Sequence, residues 1–253
     1  MTPDHPKVNY GKTGALIINL GTPDSTSWLD IRKYLREFLS DRRVIEVNPV
    51  IWQIILNLFI LNFRPSKTAK AYKEIWMKDK NMSPLRYFTQ NQAEKLSKQI
   101  GDEKLIVDFA MRYGNPSIKS KIHGLKNKGC ENLIILPLYP QYSGTTTAAV
   151  SDGLTKAFKQ LPVIPGYRFI RDYYSHPSYV KALAESVRKH WRENGQGDHL
   201  VCSFHGIPKR LADQGDIYPQ HCEQTTELLA QELGLSADKI TMTYQSRFGR
   251  EEW

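Results

Sequence analysis

From residue 14 the chain reads GALIINL, seven largely apolar positions closed by Gly21-Thr22-Pro23, the pattern of a strand buried on both faces and ended by a turn. A helical rhythm follows at residues 28–39, where Ser27 stands before the first turn and Asp30 three residues on, a capping-box-like start. The alternation then repeats. Helices are predicted at 67–80 and 90–100, the second stopped by Gly101, and a strand (LIVDFAM) at 105–111. The next helix has Pro116 at its first position and Gly129 beyond its end. A strand (LIILPL) at 133–138, a helix over 145–160 and a short strand at 168–170 complete the first stretch. Beyond it come a long helix opened by His176-Pro177 and ending near Gly195, a strand (HLVCSF) at 199–204, a helix over 219–233 closed by Gly234, and a last strand at 239–244.

Strands alternating with helices require right-handed crossovers, hence an α/β fold of mostly parallel sheets flanked by helices. The Pro-rich LPVIPG segment ends just before Arg171, which predicts two parts, residues 1–170 and 171–253. Residues 50–63 (VIWQIILNLFILNF) are the one membrane-like run. As a helix they would reach about 21 Å, short of a roughly 30 Å hydrocarbon core, and they carry Gln53, Asn57 and Asn62. The run is not expected to span.

Composition narrows the classes. Charged residues at 24% and apolar ones at 40% are ordinary globular usage and exclude disordered and collagen-like chains. The net charge of +9 favours anionic partners, but it is spread along the chain, so no nucleic-acid arm is indicated. Cys130, Cys202 and Cys222 lie far apart, which argues against a disulfide framework or zinc ribbon and fits a reducing cytosol. The first ten residues lack an apolar core, so no signal peptide is expected. Neither GxGxxG nor GxxxxGK[ST] occurs, which disfavours dinucleotide and P-loop nucleotide binding.

Open α/β sheets bind ligands outside the carboxyl ends of their strands. Those ends here carry Asn19 to Pro23, Arg112 to Pro116, Tyr139 to Thr147, His205-Gly206-Ile207-Pro208 and Gln245-Ser246-Arg247. Tyrosines, an arginine, hydroxyls and one histidine suit a large aromatic ligand with acidic substituents. Singly, most have plainer readings: Arg112 as a salt-bridged strand end, Tyr139 and Tyr142 as half-buried tyrosines, the threonines after Gly144 as helix caps. His221-Cys222-Glu223 reads as a solvated helix face. His205 stands apart, because it is held between an apolar strand and Gly-Ile-Pro, and a near-neutral pKa makes imidazole the natural proton acceptor.

Taken together, LIINLGTPDS, MSPLRYFTQNQ, FAMRYGNP, ILPLYPQYSGTTT, SFHGIP, GDIYPQHC and YQSRFGREEW resemble the ferrochelatases, which insert ferrous iron into protoporphyrin IX to make protohaem, the last step of haem biosynthesis. The resemblance runs from about residue 13 to the last residue. It implies two Rossmann-type halves with the porphyrin in a cleft between them, the second half incomplete. It implies that His205 accepts pyrrole protons or ligates incoming iron, and that Arg112 and Tyr113 contact the macrocycle and the metal path. Leu20 matches a position facing the porphyrin plane. Arg64, Tyr72, Ser83, Tyr139, Ser143, Thr145 and Trp253 fall in stretches lining the pocket or its mouth, and residues 50–63 match an apolar lip that touches the bilayer in membrane-associated members. Gly144 stands where animal members carry an iron–sulfur ligand, so no cluster and no resident cofactor are expected, Fe²⁺ being a substrate. The implied partners are protoporphyrin IX and Fe²⁺, with peripheral membrane contact and no nucleic acid, in the cytoplasm or on the inner face of the membrane. The family pattern continues for roughly another quarter of its length, including a carboxylate that pairs with the histidine, so the expectation is a fragment inactive by itself. The rival readings are a non-catalytic tetrapyrrole or haem carrier and an anion- or nucleic-acid-binding module.

Overall fold

The computed structural model describes residues 11–247 and Glu252. Two compact units emerge: the described residues up to Leu138 with Thr145–Arg171, and Tyr139–Gly144 with the residues from Asp172 onward. Six residues of the first stretch thus belong with the second unit.

The first unit is a four-stranded parallel sheet in the order β2-β1-β3-β4, formed by β1 (Lys12–Thr22), β2 (Leu105–Gly114), β3 (Cys130–Pro137) and β4 (Gly166–Phe169). The apolar run places β1 between two neighbours, and Leu16, Ile17 and Ile18 are almost fully buried there. Helices α1 (Trp28–Leu39), α2 (Pro49–Ile55), α3 (Leu61–Ile75), α4 (Pro84–Ile100), α5 (Ile118–Asn127) and α6 (Thr147–Phe158) flank it. One core joins Ile17, Phe109 and Met111 to Ala93 of α4; another joins Ile31, Leu35 and Leu39 of α1 to Leu56, Leu61, Ala69 and Tyr113. Ser27 caps α1 as the pattern predicts, accepting from the Asp30 amide at 3.2 Å.

Several boundaries move. The helix expected at 90–100 starts at Pro84, because Ser83 is its N-cap and Pro84 occupies the first position, where a missing N–H costs nothing. The one expected at 67–80 begins at Leu61 and ends at Ile75. Pro116 is not at a helix start; Ser117 caps α5, whose first residue is Ile118. Residues 50–63 fold as α2, a π-helical turn (Leu56–Ile60) and the start of α3. Among the described residues no helix is long and apolar enough to cross a membrane. At the carboxyl ends of β1 and β2 two glycines are needed: a Cβ on Gly21 (φ +116°) would sit 1.8 Å from the Tyr113 carbonyl oxygen, and one on Gly114 (φ +82°) 2.6 Å from that of Thr22.

The second unit pairs β5 (Leu200–His205) with β6 (Ile240–Gln245) in parallel, Leu200 opposite Ile240 and His205 opposite Gln245. Helices α7 (Pro177–Asn194), a short α8 (Lys209–Asp213) that the pattern did not foretell, and α9 (Tyr218–Leu233) accompany them. β5 is not buried on both faces: Val201, Ser203 and His205 are exposed while Leu200, Cys202 and Phe204 are half-buried. The expected solvated face at His221-Cys222 is also overturned, since both side chains are buried on α9.

Candidate active site

In the first unit the strand-end residues gather around Asp41, which sequence reasoning passed over. Arg112 of β2 forms an ion pair with Asp41 through Nη2, and the Tyr113 hydroxyl donates to the same Asp41 oxygen at 2.7 Å. Successive residues of a strand point to opposite faces, yet these neighbours meet one carboxylate because the guanidinium folds back over the Tyr113 ring, 4.4 Å from its centroid. Arg112 Nε donates to the Ala149 carbonyl at 2.6 Å. With side chains only 15% and 9% exposed, Arg112 and Asp41 satisfy each other. The salt-bridged strand end is therefore present in this unit. Beside it, the Gly114 amide donates to Glu37 at 2.8 Å and Asn115 to Asp24 at 2.7 Å. Hydrogen bonds from Ser25 and Ser27 hold the Asp30 carboxyl below its usual range. These groups line a cleft of about 180 Å³.

Leu20 is half-buried against the α1–α3 core. Tyr72 of α3 lies edge-on to Tyr34 and to Trp76, and burial pushes its phenol up. Arg64 is exposed on α3, six residues beyond exposed Leu58. Ser83 is buried and spends its hydroxyl oxygen on the Arg86 amide, as the α4 cap, at 3.3 Å. Thr145 is half-buried ahead of α6, where Thr146 stands at the N-cap without a side-chain cap bond.

In the second unit His205 ends β5. Its Nδ1 lies 2.7 Å from the Gly206 carbonyl oxygen. A carbonyl only accepts, so Nδ1 carries the proton and, in the neutral ring, Nε2 carries the lone pair. The backbone beneath is fixed by the ladder to Gln245, whose carbonyl also takes the Gly206 amide at 2.9 Å. An exposed imidazole with a set tautomer on a rigid strand end can accept a proton or ligate a metal ion.

The second unit also brings together two motifs that are far apart in sequence. Ser143 Oγ and the Gly144 amide both donate to one Asp216 oxygen, at 2.9 and 2.8 Å, while the Tyr218 amide donates to the other at 3.0 Å. Gln141 donates to Thr225 at 3.0 Å. The Tyr142 amide donates to His221 Nδ1 at 3.1 Å, and Tyr174 stacks on that ring at 3.7 Å. Tyr139 opens this loop, half-buried. Ser143 is thus a buried clasp of the YPQYSG loop onto the start of α9. Trp253 lies outside the described residues. Among the described residues no three His, Cys, Asp or Glu side chains group as a metal site.

The ferrochelatase family model matches residues 12–253. The chain is similar to the ferrochelatase of Vibrio atlanticus (strain LGP32), with 64% identity over 97% of this chain and 75% of the relative. It is also similar to that of Vibrio parahaemolyticus (55% identity, 96% of this chain, 74% of the relative) and that of Vibrio cholerae (51% identity, 97% and 75%). It spans about three quarters of the length of these relatives, in line with the family pattern expected to run for another quarter.

Proposed function

The chain belongs to the ferrochelatase family, and from that premise we propose that His205 is the group through which it takes part in inserting Fe²⁺ into protoporphyrin IX. The observation that carries the reading is the 2.7 Å approach of His205 Nδ1 to the Gly206 carbonyl oxygen: a carbonyl only accepts, so in the neutral ring the lone pair falls to Nε2. Insertion exchanges two pyrrole N–H protons for one Fe²⁺, so two protons must leave the macrocycle. Nε2 accepts one of them, or holds the entering iron, in either case without reorganising the backbone beneath it. Distortion of the ring, which bares the nitrogen lone pairs, is driven by binding energy gathered from the rest of the macrocycle.

The residues that the family pattern assigns to the substrate are Leu20, Arg64, Tyr72, Ser83, Arg112, Tyr113, Tyr139, Ser143, Thr145 and Trp253. Arg112 and Tyr113 act from their pairing with Asp41, and Ser83 and Ser143 through the helix and loop they hold. Iron is a substrate, and no resident cofactor is assigned: Gly144 offers no ligand where animal members have one. The exposed side chains of the lip, among them Val50, Ile51, Ile54, Leu58, Phe59 and Phe63, form an apolar surface that meets porphyrin and the membrane surface peripherally, on the cytoplasmic side.

The test is His205→Ala made at the matching histidine of a full-length relative and assayed there for Zn²⁺ or Fe²⁺ insertion, with protoporphyrin binding by that relative and by this chain followed by fluorescence. Insertion falls by at least about 100-fold while binding persists. Undiminished turnover removes His205 from the mechanism. Porphyrin binding with no insertion by the unmutated relative supports the carrier reading instead.

A further inference from the structure

The helix that begins with the lip runs from α2 through the π-helical turn into α3, and Pro65 lies inside α3. Proline has no N–H, so the Leu61 carbonyl, four residues earlier, is denied its helical donor, and the ring pushes that carbonyl aside. Such an oxygen on a half-buried turn needs another partner. It has one: Arg32 of α1 donates from Nε at 3.1 Å. One turn further along α1, Arg36 Nη2 donates to Asn57 Oδ1 at 2.9 Å, and Asn57 Nδ2 in turn donates to the Gln53 carbonyl at 2.8 Å. Asn62 Nδ2 donates to the Leu58 carbonyl at 2.8 Å. The π-helical turn and the first turn of α3 are therefore stitched to α1 at two points, four residues apart on one face of that helix.

We propose that Arg32 is the positioning residue of the apolar lip, standing in for the N–H that Pro65 lacks at the Leu61 carbonyl and so fixing the turn that carries the exposed Leu58, Phe59 and Phe63. Arg36 is the accessory stitch, exposed and weaker. Arg32 touches neither porphyrin nor metal in this role, and it acts only through the lip. Its consequence for substrate rests on the pocket-mouth reading given above; the brace itself does not.

The proline makes the proposal separable from a general structural role. Pro65→Ala restores the missing donor, which makes Arg32 dispensable at Leu61. Amide hydrogen exchange is measured over residues 56–69 in the unaltered chain, Arg32→Gln, Pro65→Ala and the double variant. Protoporphyrin affinity is measured alongside by fluorescence. Arg32→Gln should exchange about tenfold faster in this segment, with β1 and β3 unchanged, as for loss of one charge-assisted hydrogen bond. In the Pro65→Ala background the same substitution should have almost no effect. Unchanged exchange in Arg32→Gln, or an equal effect in both backgrounds, overturns the proposal. Coupled exchange with porphyrin affinity lowered only in Arg32→Gln supports both the brace and the lip's contact with substrate. Coupled exchange with unaltered affinity upholds the brace and overturns the pocket-mouth reading instead.

Discussion

Asp41 takes the charge of Arg112 and the hydroxyl hydrogen of Tyr113 on the same carboxylate oxygen, in a place from which water is largely excluded. Removing the negative charge strands a guanidinium, and the cost of an unpaired buried charge exceeds what the pair itself contributes. Asp41→Asn is expected to lower unfolding free energy by about 3 kcal/mol. Asp41→Asn with Arg112→Met should lose clearly less than the sum of the single changes, as measured by urea midpoints. A purely additive result would mean that the two side chains do not depend on each other. Cys222 offers a second test at this scale. Burial pushes its thiol up to about 12, so at pH 8 it is almost wholly protonated and should react with a disulfide reagent far more slowly than an unfolded cysteine. The sign for stability follows: the unfolded thiol, with its ordinary pKa of 9.0, ionises first, so Cys222 lowers stability as pH climbs from about 9 towards 12.

Elements are held by side chains that the sequence disperses. The YPQYSG loop is fastened to α9 through Asp216, which accepts from three donors in two segments. Asp216→Ala leaves the Ser143 hydroxyl and the Gly144 amide without that acceptor, at a cost of about 1–3 kcal/mol for each buried group. The expected outcome is a melting temperature lowered by several degrees and fast exchange at the Gly144 and Tyr218 amides, with β1–β3 protection retained. The lip behaves oppositely. Ile55 and Phe59 are 37% and 58% exposed, so Ile55→Ser with Phe59→Ser should change stability by less than about 1 kcal/mol while reducing vesicle co-sedimentation and weakening protoporphyrin binding as followed by fluorescence. A cooperative loss of folding in that variant would show the lip to be core.

At the scale of the molecule, the net charge of +9 and the exposed lip would contribute to the proposed membrane-surface binding by different physics. Charge attraction to anionic lipid is screened within about 8 Å at 0.15 M salt, whereas burial of apolar side chains is not. Binding to vesicles containing phosphatidylserine should therefore fall steeply between 0.05 and 0.5 M salt (about tenfold or more) to a residual level matching that on neutral vesicles. The Ile55 and Phe59 changes should remove that residual level. Binding that ignores both salt and the lip would refute the membrane contact.

Periodicity was enough to establish the α/β alternation, because the side chains of a strand buried between neighbours and those of an amphipathic helix follow different repeats. It placed β1, α1 and α7 closely, where Ser27 and His176 stand as caps. The motifs likewise gave the family and singled out His205. What they could not carry was partnership. Asp41 lies 71 residues from Arg112, and Asp216 lies 73 from Ser143; no local repeat links such pairs, and only the packed backbone brings them within hydrogen-bond distance. The burial of His221 and Cys222, which looked like a solvated helix face, was also decided by what packs against α9. So was the Leu61 carbonyl: Pro65 announced that it would lack a donor, and only the placement of α1 against α3 supplied Arg32.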